Sequence, residues 1–179
     1  LAGLTQPYQA DAILGQMSGS HFPVAAAQLV SDIRILPRQE VDKTINIDGL
    51  EITRRLLNHP QTGSAYLFDD QGCRFAYCTD NEISSPGQHF TSVEQWQSFF
   101  TDLDLLIHDA QYLPEEFPGK AGWGHSPYDQ VVDLAIRARV KRLCLFSHDH
   151  RRDDKGIDNL VSLARQRVRQ QGASLEVFA

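Results

Sequence analysis

The chain has 179 residues, 41% of them hydrophobic, enough for one core of ordinary size and too many for a disordered tail. Seventeen basic against twenty-three acidic side chains leave a formal net charge of −6, so bulk charge does not mark a polyanion-binding protein, although a local basic patch is compatible with it. Three cysteines, Cys73, Cys78 and Cys144, show neither CxxC nor CxxxC spacing, which argues against a disulfide framework and a thiolate zinc site and favours a reducing, cytoplasmic setting. No apolar run approaches the roughly 20 residues that span a bilayer, and no basic-then-apolar leader opens the chain, so a soluble protein with no membrane partner is expected. Leu1 stands where a methionine would, and it leads at once into Leu4-Thr5-Gln6-Pro7, as in the later part of something longer.

Runs rich in branched and aromatic residues predict strands at Asp32 to Leu36, Thr44 to Ile47, Leu50 to Leu57, Ala65 to Phe68, Arg74 to Cys78, Leu103 to Ile107 and Arg142 to Phe146. The last two are short and apolar and are expected to be buried on both faces. Thr91 with Glu94 three residues later predicts a capping box, ahead of Val93, Trp96, Phe99 and Phe100 on one helical face. Ser126 with Pro127 at the first helical position opens a second helix, whose apolar stripe is Tyr128, Val131, Val132, Ala135 and Ala138. A third is expected from about Asp153 to Gln171, burying Ile157, Leu160, Val161, Ala164 and Val168 and turning Arg165, Arg167 and Arg169 to solvent. With no repeat, low-complexity tract or long linker, one domain over 1–179 is the simplest partition. Strands first and strand–helix alternation later predict an α/β or α+β sheet with helices packed outside.

Chemistry collects at the strand ends. His59, Asp80 and His148 each follow a predicted strand within two residues, and strand ends aim side chains at one shared crevice. Imidazoles plus a carboxylate able to bridge suit zinc, manganese or iron, whereas the oxygens are too few for calcium. His108-Asp109 follows a fourth strand and is placed to orient ligands from behind. His125, in Gly122-Trp123-Gly124-His125-Ser126, directly precedes a helix N-terminus, where backbone N–H groups attract phosphate or carboxylate. Each has a blander reading: a structural histidine near a strand end, an Asp-Asn turn at Asp80, a helix-start residue at His125. In His148-Asp149-His150 no Asp-His dipeptide follows, so His148 reads as a single ligand and His150 as a loop residue or a neighbour of the site.

Taken in order, these segments resemble the metallo-β-lactamase-fold hydrolases, and among them the phosphodiesterase and ribonuclease Z-like branch. Leu57-Asn58-His59-Pro60 is similar to the segment carrying a histidine ligand, and Phe75-Ala76-Tyr77-Cys78-Thr79-Asp80 to the strand that ends in the metal-bridging aspartate. Leu105 to Tyr112, with His108-Asp109-Ala110, is similar to the segment that follows. Gly124-His125-Ser126 matches the element before a helix, and Val140 to His148 the strand with the last histidine ligand. The resemblance runs from about Phe22 to Asp154, and the HxHxDH motif of that superfamily is absent from the chain.

The resemblance implies a four-layer αββα sandwich, of which this chain would be the later part, incomplete at its N-terminus. It implies hydrolysis of a phosphodiester, a small one or RNA, by water activated between two divalent cations, zinc first with manganese or iron as alternatives. His59 and His148 would each bind one metal and Asp80 both, His125 would contact a phosphate oxygen or protonate the leaving group, and His108 and Asp109 would support them. Three ligands shared between two metal positions leave each with about two protein contacts, so this chain would carry the site only in part. The alternatives are an inactive relative acting as a binding or interaction module, and a dimerising domain whose exposed apolar surface is covered by a homo-oligomeric partner or by the missing half.

Overall fold

The computed structural model describes residues 42–61, 63–84 and 90–179, with positions 15, 22, 24 and 28. The chain divides into two units, Leu1–Glu40 and Val41–Ala179, and the strands and helices below all belong to the second. The strand expected at Asp32 to Leu36 lies outside the described residues.

Two hairpins start the fold. β1 (Thr44–Ile47) turns into β2 (Leu50–Leu56) through Asp48-Gly49, and β3 (Ser64–Asp70) turns into β4 (Cys73–Cys78) through Gln71-Gly72. Both central residues of each turn have positive φ (52° and 96°, 50° and 91°), the two-residue geometry whose twist matches that of the flanking strands. Three parallel strands follow: β5 (Leu105–Asp109), β6 (Arg142–Phe146) and β7 (Glu176–Phe178). All seven lie in one sheet in chain order, antiparallel from β1 to β4 and parallel from β4 to β7.

Three helices supply the crossovers: α1 (Val93–Phe99), α2 (Tyr128–Arg137) and α3 (Asp154–Gln170). Each begins close to its predicted start, but two caps differ from expectation. The capping box of α1 is Ser92 with Gln95, one residue on from Thr91 and Glu94: Gln95 N–H donates to Ser92 Oγ at 3.3 Å, and Ser92 N–H to Gln95 Oε1 at 2.8 Å. Thr91 is occupied elsewhere, its hydroxyl donating to the Leu56 carbonyl. Pro127 is the N-cap of α2, and Ser126 does not cap it, because its hydroxyl donates to the Asn81 carbonyl at 2.7 Å. Asp153 caps α3, accepting from Gly156 N–H at 2.8 Å. Of the arginines assigned to solvent on α3, Arg167 pairs with Asp133 on α2 and Arg165 donates to the Val177 carbonyl, so that face ties the helix down.

The core lies on one face of the sheet. Ala65, Leu67, Ala76, Cys78, Leu106, Leu143, Leu145 and Val177 pack beneath Trp96, Phe99 and Phe100 of the α1 region and the apolar stripes of α2 and α3. Val131, Val132, Leu134, Ala135, Leu160 and Ala164 are fully buried there, as the helical spacing requires. The strand residues between them face the other way, so β5 and β6 are buried on one face and not on both. On that second face Tyr66 pairs with Tyr77, Tyr77 with Ile107 and Ile107 with Cys144, and Tyr77 and Phe146 are 40% and 46% exposed. Among the described residues no helix is long and apolar enough to cross a membrane.

Leu106 sits at the centre of the buried face with no exposure. Leu106→Ala is expected to destabilise the protein by about 2–5 kcal/mol, a loss of buried methyls plus a residual cavity. Urea unfolding should show this as a lowered midpoint at unchanged slope.

Candidate active site

The described strands place their candidate groups at one end of the sheet. β4, β5 and β6 are parallel neighbours, and Asp80, His108-Asp109 and His148 all lie at their C-terminal ends, where an α/β sheet opens its crevice. β5 starts two residues later than expected, so His108 and Asp109 are its last residues rather than followers, and both are fully buried. β2 ends at Leu56, and His59 comes three residues beyond it.

Asp109 is the organising carboxylate of this end. Its Oδ1 accepts from Asn81 N–H and its Oδ2 from Ser126 N–H, both at 3.0 Å, which joins the end of β4 to the start of α2. His108 stands behind it: Nδ1 donates to the Asp109 carbonyl at 2.7 Å and Nε2 accepts from Asn81 Nδ2 at 3.2 Å. Both are thus tied to Asn81 at the end of β4.

His125 is brought against both carboxylates, its Nδ1 lying 3.4 Å from Asp109 Oδ2 and 3.7 Å from Asp80 Oδ1. No hydrogen-bond geometry is satisfied at that nitrogen, which is buried. Burial alone would lower the affinity of the ring for a proton, but Asp109, Asp80 and Glu82 outweigh it and hold the His125 pKa above the ordinary imidazole value. The His59 ring meets His125 edge-on at 5.7 Å between centroids, and Tyr112 meets it from another side at 6.1 Å. Asp80 turns out of β4 with φ 60°, a left-handed conformation that aspartate tolerates better than most residues, and leaves its carboxylate half exposed.

Glu82 and Asn58 carried no signal in the sequence and prove central. The Glu82 side chain, 1% exposed, accepts from Gly122 N–H through both oxygens and from Gly124 N–H through Oε2, each at 2.9 Å. Gly122 and Gly124 have φ of 89° and 90°, and a Cβ on Gly124 would stand 2.2 Å from His59 Cδ2. Asn58, beside His59, spends every polar atom of its side chain on the chain around it: Nδ2 donates to the Glu82 and Thr91 carbonyls and Oδ1 accepts from Phe90 and Thr91 N–H. The loops bearing His59, Asp80 and His125 are thus fastened to one another through buried side chains.

His148 is placed differently. It follows Ser147, whose φ is 49°, and among the described residues no hydrogen bond or ion pair joins it to His59, Asp80 or His125. Its Nδ1 is buried without a partner, and burial, together with the charge of Arg152, lowers its pKa. The neighbouring Asp149, also unanticipated, is gripped by Arg151 and Lys120 at 2.9 Å each, and these cations hold its carboxyl far below the usual range. His150 is an exposed loop residue, as expected.

The described donors do not complete a metal centre: no group of three or more His, Cys, Asp or Glu side chains among them is arranged to hold an ion. His59 Nδ1 accepts from Gln61 N–H at 3.2 Å, within its own loop.

No family model matches the chain. Over 125 residues, 70% of its length, it is 30% identical to ribonuclease Z of Sulfurisphaera tokodaii, and it spans only 36% of that protein. Among solved structures it is similar to the metallo-β-lactamase fold protein YhfI from Bacillus subtilis, 22% identical with a TM-score of 0.61, over 80% of this chain and 51% of that one. It is also similar to CmlA, a diiron β-hydroxylase from Streptomyces venezuelae, 10% identical with a TM-score of 0.50, over 77% of this chain and 32% of that one.

Gly124→Ala should drive a methyl into the His59 ring at a backbone angle that disfavours it, destabilising the protein by about 1–3 kcal/mol and shifting the His59 ring resonances. A proton NMR titration should place the His125 midpoint above the ordinary value of about 6.5, and Asp109→Asn should bring it down. Because that pKa is raised on folding, the stability drawn from charged His125 is complete below the unfolded value and is lost as pH rises through the folded one.

Proposed function

This chain has the metallo-β-lactamase fold and resembles the ribonuclease Z-like branch of that superfamily, and from that premise we propose that the protein is a metal-dependent phosphodiester hydrolase whose site this chain carries in part. The observation that supports this reading most is the seat of His125, an imidazole held between the buried Asp109 and the exposed Asp80 beside His59. With Nδ1 turned to the two carboxylates, Nε2 is the atom left to meet a substrate. As water adds to phosphorus and the bond to the leaving oxygen breaks, a ring kept protonated in this way donates its Nε2 proton to that oxygen, and the proton released by the attacking water restores the imidazolium by way of solvent.

Among the described residues no three or more such donors are gathered, so they do not by themselves complete a dinuclear centre. His59, Asp80 and His148 are therefore proposed as this chain's share of the ligands, with the rest from outside the described residues. Zinc is the first candidate, with manganese or iron as alternatives, given imidazole and carboxylate donors. The substrate is a small phosphodiester or RNA. The same lack of three donors favours a second reading, a relative of the fold that binds phosphodiesters without cleaving them.

Metal content and turnover of bis(p-nitrophenyl) phosphate, measured together on the extensively dialysed and then zinc- or manganese-loaded protein, separate these readings. His125→Ala is expected to lower kcat about 100-fold or more at unchanged metal content, whereas Asp80→Ala should lose metal and rate together. Loss of metal in His125→Ala would show that its assigned role is wrong. A wild-type protein that takes up metal and leaves the diester untouched would favour the binding module.

A further inference from the structure

Trp123 is 61% exposed, the most exposed large hydrophobic side chain among the described residues. Loop tips ordinarily carry small or polar residues, because an indole in water leaves one of the largest apolar surfaces of any side chain unburied. Here the loop under it is held unusually firmly. Glu82 fixes the N–H groups of the glycines on either side of Trp123, Trp123 N–H donates to the Lys120 carbonyl at 3.1 Å, and Gly124 leans on the His59 ring. Both glycines occupy left-handed conformations that other residues avoid, so the path of the loop is set residue by residue. A buried carboxylate and two such glycines thus present an exposed indole one residue from the contact with His59 and two residues from His125.

We propose that Trp123 is a stacking platform for a planar aromatic ring attached to the phosphate of the substrate, a proposal that rests on the hydrolase reading for the identity of the site. An indole has only two side-chain torsions, and a backbone fixed in advance removes most of the ordering cost of recognition, so a flat ring gains contact over the whole indole face. Stacking needs no hydrogen-bond partner and tolerates any ring. The platform therefore selects for an aromatic substituent without choosing among them, while the groups around His125 deal with the phosphate.

The test is a titration of the intact chain with AMP, phenyl phosphate and ribose 5-phosphate, reading indole fluorescence excited at the red edge where adenine does not absorb. The other tryptophan, Trp96, is completely buried and serves as an internal reference. AMP and phenyl phosphate should quench the exposed component and ribose 5-phosphate should not. In Trp123→Ala the remaining emission should be insensitive to all three, and AMP binding measured by equilibrium dialysis should weaken about tenfold, the effect of losing one base–aromatic stack. Trp123→Phe should restore most of it. Quenching by AMP alone assigns the ring to a nucleobase, and equal quenching by phenyl phosphate assigns it to aromatic groups in general. Absence of quenching by both, or equal quenching by ribose 5-phosphate, would overturn the platform. Quenching by the metal-loaded chain without diester turnover would favour the binding module and leave the platform standing, whereas turnover without quenching would sink the platform alone.

Discussion

A carboxylate taken out of water has to be matched by donors, and Glu82 finds all of its donors in the backbone of one short loop. That requirement shapes the whole end of the sheet. The loop from Gly122 to Ser126 takes the path that brings Gly122 and Gly124 N–H onto Glu82, and its last residue then donates to Asp109 and to the Asn81 carbonyl. Asn81 and Glu82 are in turn held by Asn58 on the neighbouring loop. Removing any one of these groups would leave others buried and unpaired, which makes the arrangement all-or-none.

The position of the site follows from topology. β4 is the last antiparallel strand and the first parallel one, so it carries Asp80 at its end and the crossovers that follow it deliver Asp109 and His148 to the same edge. Two of the three strand ends leave the sheet through a left-handed residue, Asp80 after β4 and Ser147 after β6. Such corners are costly for side chains other than glycine and persist where the surroundings over-determine them. At Asp80 the corner turns an acidic group out of the strand line to face His125.

Much of the scaffold could be read from residue order. The hairpins, the parallel strands and the three helices follow from alternation, helical spacing and turn residues, which act over a few positions. That His125, Asp80 and His108-Asp109 come together at one edge was also accessible, because histidine and aspartate at strand ends and before a helix attract notice. Glu82 and Asn58 were not, since a buried polar residue announces itself only through partners some twenty to forty positions away in the chain. The same limit misplaced the caps: Thr91 and Ser126 look like helix starters until the Leu56 and Asn81 carbonyls claim their hydroxyls. His148, whose buried Nδ1 has no partner, meets neither His59, Asp80 nor His125 through a hydrogen bond among the described residues, so residue order alone does not assign it a role. β7 escaped notice because a three-residue strand carries too little pattern.

The sheet is threaded in simple numerical order, each strand lying beside its successor. The turns within the two hairpins close over two residues each, so the pairing of β1 with β2 and of β3 with β4 costs little chain entropy. From β4 onward every pairing must wait for a helix-bearing crossover to form and dock, which is the slow kind of closure. The hairpins are therefore the natural early structure of this chain, and the functional edge, which gains Asp109, His125 and His148 only with the late crossovers, is the last region to acquire its native geometry. A polypeptide that stalls during refolding would have its antiparallel half in place and no site.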